Sequence, residues 1–204
     1  MLTDLGAAPL LPDLGPFAEA IQFSRVFHTT GYALLSGPIR ETALEGVRVA
    51  RAAGTLVSID VADPFVVKAL QVDLPALLQD TDIVFMNEEE SRALCPGATP
   101  EEAAVQTGQH VRTVVVKLGC KGSLVVHEGR TIRADIHQVE AVDTTGAGDS
   151  YAAGYLYGFS RGWPPERCAA LAARTAALTV SILGAVYRDR EVLREAINAV
   201  EASS

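Results

Sequence analysis

Three short runs in this chain read as buried strands, Thr55–Val61 (TLVSIDV), Ile83–Met86 (IVFM) and Thr113–Leu118 (TVVVKL), and the second is apolar on both of its faces. A strand that buries both faces belongs inside a helix-covered sheet, and such sheets are mainly parallel. Stretches with helical spacing of apolar residues lie between them. Residues 39–53 place Ile39, Ala43, Leu44, Val47 and Ala50 near one face and end at Gly54, as a glycine just past a helix should. Further helices are predicted over 13–23, 74–79, 88–94, 101–110, 147–161, 165–182 and 189–202. Apolar runs stand at Val26–Thr30 and Tyr32–Leu35, and short strands are predicted at 123–127, 131–135 and 139–142, separated by glycine-containing turns. Asp60–Pro64 reads as a loop at the C-terminal end of a strand. This alternation predicts an α/β domain, residues 1–204, with a mainly parallel sheet and no internal repeat or linker.

Composition supports an ordered fold. The chain of 204 residues is 49% hydrophobic and 21% charged, outside the low-hydrophobicity regime of disordered proteins. Its length suffices to bury a core without disulfides or metals. With 17 basic against 25 acidic residues the net charge is −8, which argues against broad, backbone-driven nucleic-acid binding but permits a local anion site. Cys95, Cys120 and Cys168 form no C-x-x-C pair and read as reduced thiols. No apolar run approaches the roughly 18 residues that span a bilayer, and Met1–Asp4 lacks a signal-peptide pattern. The expectation is a cytoplasmic protein with neither a membrane nor a nucleic-acid partner. His28, His110, His127 and His137 show no ligand spacing.

The segment richest in chemistry is Asp143-Thr144-Thr145-Gly146-Ala147-Gly148-Asp149-Ser150, directly after QVEAV. Small residues at 146–148 let backbone N–H groups converge where a helix begins, and unpaired donors with a positive dipole end make a phosphate cradle. Asp149 falls in the first turn, where the dipole favours a carboxylate. Such a carboxylate can take a proton from an attacking hydroxyl in phosphoryl transfer. The plainer alternative is a strand–turn–helix with an acidic cap. Other phosphate motifs do not fit: there is no Gly-Lys dipeptide for a Walker A loop, and the third glycine of a dinucleotide fingerprint is replaced by Tyr151.

With its surroundings, this segment resembles the C-terminal signature of the PfkB carbohydrate kinases, the ribokinase-like family. Asn87-Glu88-Glu89-Glu90 looks like that family's N-x-x-E motif, and Lys117-Leu118-Gly119-Cys120-Lys121-Gly122 its nucleotide-binding strand and turn. The order and spacing of the three motifs match as well, and Met1–Ala8 resembles the segment that follows the family's lid. The resemblance implies a three-layer α/β/α fold around a mainly parallel sheet, in which this chain covers the C-terminal two-thirds. It implies an ATP-dependent phosphotransferase acting on a hydroxyl of a sugar or nucleoside, with Asp149 as catalytic base and the amides of Gly146, Ala147 and Gly148 as an anion hole. Asn87 and Lys117–Gly122, with Gly148 and Asp149, would bind the nucleotide, and Glu90 would hold Mg²⁺ through water. Asp143 and Thr145 would bind a monovalent cation, K⁺, completed by Thr179, Ile182 and Gly184.

Bland readings stand beside these. Asn87 is equally a helix cap with Glu90 in its first turn. Ile182 and Leu183 are candidate core residues, Cys120 a small turn residue, and Trp163 a packing anchor between helices. The family's N-terminal strands, Gly-Gly motif, acceptor-binding Asp and lid are not recognisable here. One expectation is therefore a C-terminal portion, or a mis-started reading, of a longer kinase. The alternative to a kinase is a truncated homologue that binds nucleotide or a partner without transferring phosphate. A homodimer is a further expectation from the family, where the lid often mediates dimerisation.

Overall fold

In a computed structural model, residues 6–11, 13–15 and 17–202 are described. Met1–Leu5, part of the segment compared with the family's post-lid region, lie outside them. The strands are β1 (Val26–Thr30), β2 (Leu56–Asp60), β3 (Ile83–Asn87), β4 (Thr113–Lys117), β5 (Ser123–His127) and β6 (Arg130–Ala134), in one sheet of order β1-β2-β3-β4-β5-β6. The chain divides into two units, Met1–Val115 and Val116–Ser204.

In the first unit β1, β2 and β3 pair in parallel, with Thr30 opposite Asp60 and Asp60 opposite Phe85. Burial follows the apolar residues of β2 and β3: Val57, Ile83, Val84, Phe85 and Met86 have no accessible surface. Helix α1 (Phe17–Phe23) packs on α2 (Pro38–Ala53), and α2 packs on β1 and β2 through Ala43, Val47 and Ala50. Gly54 ends α2 at φ 75°, its N–H donating to the carbonyls of Ala50 and Arg51. Tyr32–Leu35, an apolar run in the sequence, is largely a 3-10 turn over Gly31–Leu34 that buries Leu34 completely.

A helix the sequence reading passed over, α3 (Pro64–Ala69), follows β2. Its signal was present: Asp63 caps it, accepting the Phe65 N–H at 2.7 Å, and Pro64 holds the first helical position. Helices α4 (Leu74–Gln79), α5 (Glu88–Leu94) and α6 (Pro100–Thr107) complete the unit.

In the second unit β5 and β6 form an antiparallel hairpin. Its two-residue turn, Glu128-Gly129, has positive φ at both positions (48° and 79°), as a turn matched to strand twist requires. The predicted strand at 139–142 does not form. Residues 135–142 are exposed, and the N–H groups of Val142 and Asp143 both donate to the Val180 carbonyl. Two valines in four residues offered too little apolar face to hold a ladder.

Helices α7 (Ala147–Ser160), α8 (Pro165–Val180) and α9 (Arg190–Ala202) supply the rest, α7 lying along α8 and α8 against β5, β6 and α9. The α7–α8 approach is close. A Cβ on Gly154 would overlap Thr175 Oγ1 and stand 2.9 Å from Ala172 Cα. Trp163 anchors the turn between them, with Arg167 over its ring at 4.5 Å and Tyr157 edge-on at 6.0 Å. Burial beneath these helices pushes Tyr151 and the Cys168 thiol each up to about 12. The Tyr151 hydroxyl meets Ser123 Oγ at 2.6 Å.

Thr175 Oγ1 cannot yield freely at Gly154, because it donates to Ser150 O at 2.8 Å. Gly154→Ala is therefore expected to destabilise by about 1–3 kcal/mol through overpacking, outweighing the helix-propensity gain of about 1 kcal/mol. Urea unfolding followed by circular dichroism checks this, and an unchanged or raised midpoint contradicts it.

Candidate active site

The turn after β4 begins the site in the second unit. Leu118 N–H donates to Gly122 O at 2.8 Å, Gly122 N–H donates back to Gly119 O at 3.1 Å, and a 3-10 turn over Gly119–Lys121 lies between. Gly119 and Gly122 have φ 59° and 83°. Cys120 and Lys121 are exposed at the tip, and Lys117 is half-buried.

Helix α7 starts at Gly146, whose φ of 75° is left-handed. A Cβ there would overlap the Ala185 carbonyl oxygen, so glycine is required by both conformation and space. The amide of Ala147 donates to Thr144 O at 3.2 Å, and that of Ser150 closes the first helical turn on Gly146 O at 2.9 Å. Gly148 and Asp149 therefore carry the amides that face out of the helix start. The Asp149 side chain is exposed at the third position.

Sequence reasoning did not foresee how two motifs meet here. Lys117 Nζ lies 3.2 Å from where a Cβ on Gly148 would sit. The ammonium thus rests against the first turn of α7, and a larger residue at 148 would push it away. Two sources of positive potential, a side-chain cation and a helix N-terminus, face the same place. That combination suits a phosphate.

Asp143 turns the chain into this helix. One oxygen accepts the Thr145 N–H at 2.9 Å and the other the Gly184 N–H at 3.0 Å. These bonds, those from Thr145 first, hold its carboxyl below the usual aspartate range. Thr179 is buried and shares a 2.7 Å hydrogen bond with Ser150, and Ile182 N–H donates to Thr179 O at 3.3 Å. Leu183 is 84% exposed, which corrects the core alternative for that residue. The structure thus gathers Asp143, Thr145, Ser150, Thr179 and Gly184 around the start of α7 and the end of α8.

In the first unit, Asn87 caps α5. Its side-chain oxygen accepts the Glu90 N–H at 2.9 Å, while Glu90 accepts from the Asn87 backbone N–H at 2.7 Å and from Nδ2 at 2.6 Å. This is a complete capping box, and Glu90 is 2% exposed. Glu88 is held by Arg92 at 2.6 Å on the outer face. A second buried carboxylate, Asp60 at the end of β2, accepts the Ala62 N–H at 3.0 Å, and Ala62 carries a φ of 75°. Asp60 carried no assignment from the sequence, although an Asp closing an apolar strand was its visible signal. Among the described residues no three His, Cys, Asp or Glu side chains cluster as a metal set.

Comparison with known proteins agrees with this architecture. A model of the pfkB family carbohydrate kinases matches residues 9–190. The chain belongs to that family. It is 29% identical over 172 residues to a 5-dehydro-2-deoxygluconokinase from Shouchella clausii (strain KSM-K16), covering 80% of this chain and 53% of that one. Among solved structures, adenosine kinase from Sinorhizobium meliloti superposes with a TM-score of 0.82 at 28% identity, over 92% of this chain and 57% of that one. A fructokinase from Vibrio cholerae O395, in its fructose, ADP and calcium ion bound form, gives 0.76 at 26% identity over 86% and 62%. The fold is the ribokinase-like α/β fold, and the chain spans about half the length of the curated relatives it matches.

Because folded Asp143 holds its proton less tightly than the unfolded chain does, its ionised form stabilises the fold above the ordinary aspartate range. That contribution fades as pH falls through the lowered folded value. Carbon-detected NMR titration of its carboxyl should give a midpoint below the usual aspartate range. A midpoint within or above that range contradicts the two-amide geometry.

Proposed function

We propose that this chain carries the nucleotide and catalytic half of an ATP-dependent kinase that phosphorylates a hydroxyl of a sugar or nucleoside. The carrying observation is the meeting of Lys117 with the glycine-opened start of α7 beside the exposed carboxylate of Asp149. Membership of the carbohydrate kinase family supplies the reaction class.

In this reading the amides of Gly146, Ala147 and Gly148, with Lys117, stabilise charge on the transferring phosphoryl group. The outward amides of Gly148 and Asp149 do most of this, since that of Ala147 is shared with Thr144. Asp149 takes the proton of the acceptor hydroxyl as oxygen attacks phosphorus and the bond to the nucleoside diphosphate breaks. Its exposure leaves room for an acceptor, and its place in the first turn keeps it beside the phosphate. Lys117–Gly122 line the nucleotide, and Asn87 has a nucleotide-binding role in the same reading.

Glu90, whose two oxygens accept from Asn87, is the residue that would hold Mg²⁺ through water. Bound there, Mg²⁺ would neutralise phosphate charge. Asp143, Thr145 and the carbonyls of Thr179, Ile182 and Gly184 are the matching proposal for K⁺. A cytoplasmic location and a homodimer belong to the same reading.

The test is paired. ATP binding by calorimetry should persist in Asp149→Asn, whereas acceptor-dependent ADP release with Mg²⁺, over a panel of sugars and nucleosides, should fall by about 10²–10⁴-fold. Unchanged turnover in that variant removes Asp149 as the base. Lys117→Met should weaken ATP by about tenfold, the loss of one charge-assisted contact, and unchanged affinity contradicts its role. The chain's coverage of about half its curated relatives favours one second reading, a homologue that binds nucleotide or a partner without turnover. ATP binding with no ADP release across the panel supports it.

A further inference from the structure

The turn that joins β4 to β5 meets the beginning of α7 at two levels. At one, Lys117 Nζ rests 3.2 Å from where a Cβ on Gly148 would sit. At the other, Ser123 Oγ and the Tyr151 hydroxyl share a hydrogen bond of 2.6 Å, and both residues are buried. Gly148 and Tyr151 are three residues apart, so they lie on one face of the helix, about 4.5 Å apart along its axis. Lys117 and Ser123 stand on the two legs of the turn, which the bond from Leu118 N–H to Gly122 O holds together at 2.8 Å. The two contacts are therefore neighbouring rungs between the same two segments.

Both ends of the buried rung are anchored independently of it. Gly122, next to Ser123, has a φ of 83°, and a Cβ there would overlap the Ala134 carbonyl oxygen. The exit of the turn thus sits tight against the end of β6. Ser150, next to Tyr151, is held through its hydroxyl by Thr179 and through its carbonyl by Thr175. With neither end free to drift, one short bond sets the spacing between turn and helix. Burial pushes the Tyr151 phenol up to about 12, so it stays protonated through the neutral range and the bond persists there. A phenylalanine would fill the same space and carry no group to reach Ser123.

We propose that Tyr151, through its bond to Ser123, is a positioning residue that sets how closely the Lys117 ammonium approaches the first turn of α7. It touches no ligand and acts through Lys117. A charge held by a rigid supporting contact keeps its place when a ligand arrives, and small misplacements at such a site are costly. That the charge meets a polyphosphate rests on the nucleotide reading given above; the spacing itself does not.

The test is the double variant, Ser123→Ala with Tyr151→Phe. Each substitution alone strands one buried hydroxyl and should lower the urea midpoint, whereas the pair removes both partners and should recover most of that loss. A role confined to stability would bring function back with it. The positioning role gives the opposite result in the restabilised double variant. The nuclear Overhauser contact between Lys117 Hε and Gly148 Hα should weaken, and ATP should bind about three- to tenfold less tightly by calorimetry. The upper end is the loss expected on removing Lys117 itself, so in a Lys117→Met background the pair should add less than about twofold. An unchanged Overhauser contact, wild-type ATP affinity in the double variant, or a full additional loss on top of Lys117→Met overturns the proposal. If the unmutated chain bound no ATP, the nucleotide reading would fall, and the Overhauser contact would still decide the positioning role.

Discussion

How tightly α7 lies against α8 decides what the second unit can present to a ligand. Gly154 removes the side chain that would hold the helices apart. Two hydrogen bonds then pin the opening of α7: Thr175 Oγ1 donates to Ser150 O, and Ser150 and Thr179 share a bond at 2.7 Å. A helix held this close to its N-terminus cannot easily tilt or fray there. The outward amides of Gly148 and Asp149 are consequently fixed in direction before any ligand arrives, and preorganised dipoles cost no reorientation when charge develops in front of them.

For an acidic chain, the anion site proposed at the start of α7 would have to work by local means. The net charge of −8 would repel a polyphosphate at long range. At short range the field is set by the helix start and by Lys117. Of the two carboxylates at the start of α7, Asp149 is exposed and Asp143 directs both oxygens at the backbone N–H groups of Thr145 and Gly184. Glu90 in the first unit is similarly occupied by Asn87. Carboxylates engaged in this way turn their charge toward the protein's own donors.

Much of the fold was legible because burial and periodicity coincide. The runs at 55–61, 83–86 and 113–118 hold strands, as short apolar stretches rich in β-branched residues do. Residues 139–142 form no strand because two valines in four residues leave too little apolar face to hold a ladder, and the segment stays exposed. Helix α3 was missed where Asp63-Pro64 announced it, an apolar stretch too short to show a period. In the site, residue types were readable and their meetings were not. The contact of Lys117 with Gly148 joins segments 31 positions apart, and no spacing rule predicts it. Asn87 and Glu90 illustrate the opposite limit: the cap legible in the sequence is fully formed.

The bond from Gly184 N–H to Asp143 spans 41 residues and joins the two ends of the α7–α8 hairpin. The chain enters this helical pair and leaves it at nearly the same point. Because its ends meet, one hydrogen bond fixes both where the chain enters this pair and where it leaves. The α7–α8 hairpin thus carries its own closure, with Asp143 and Gly184 as its clasp.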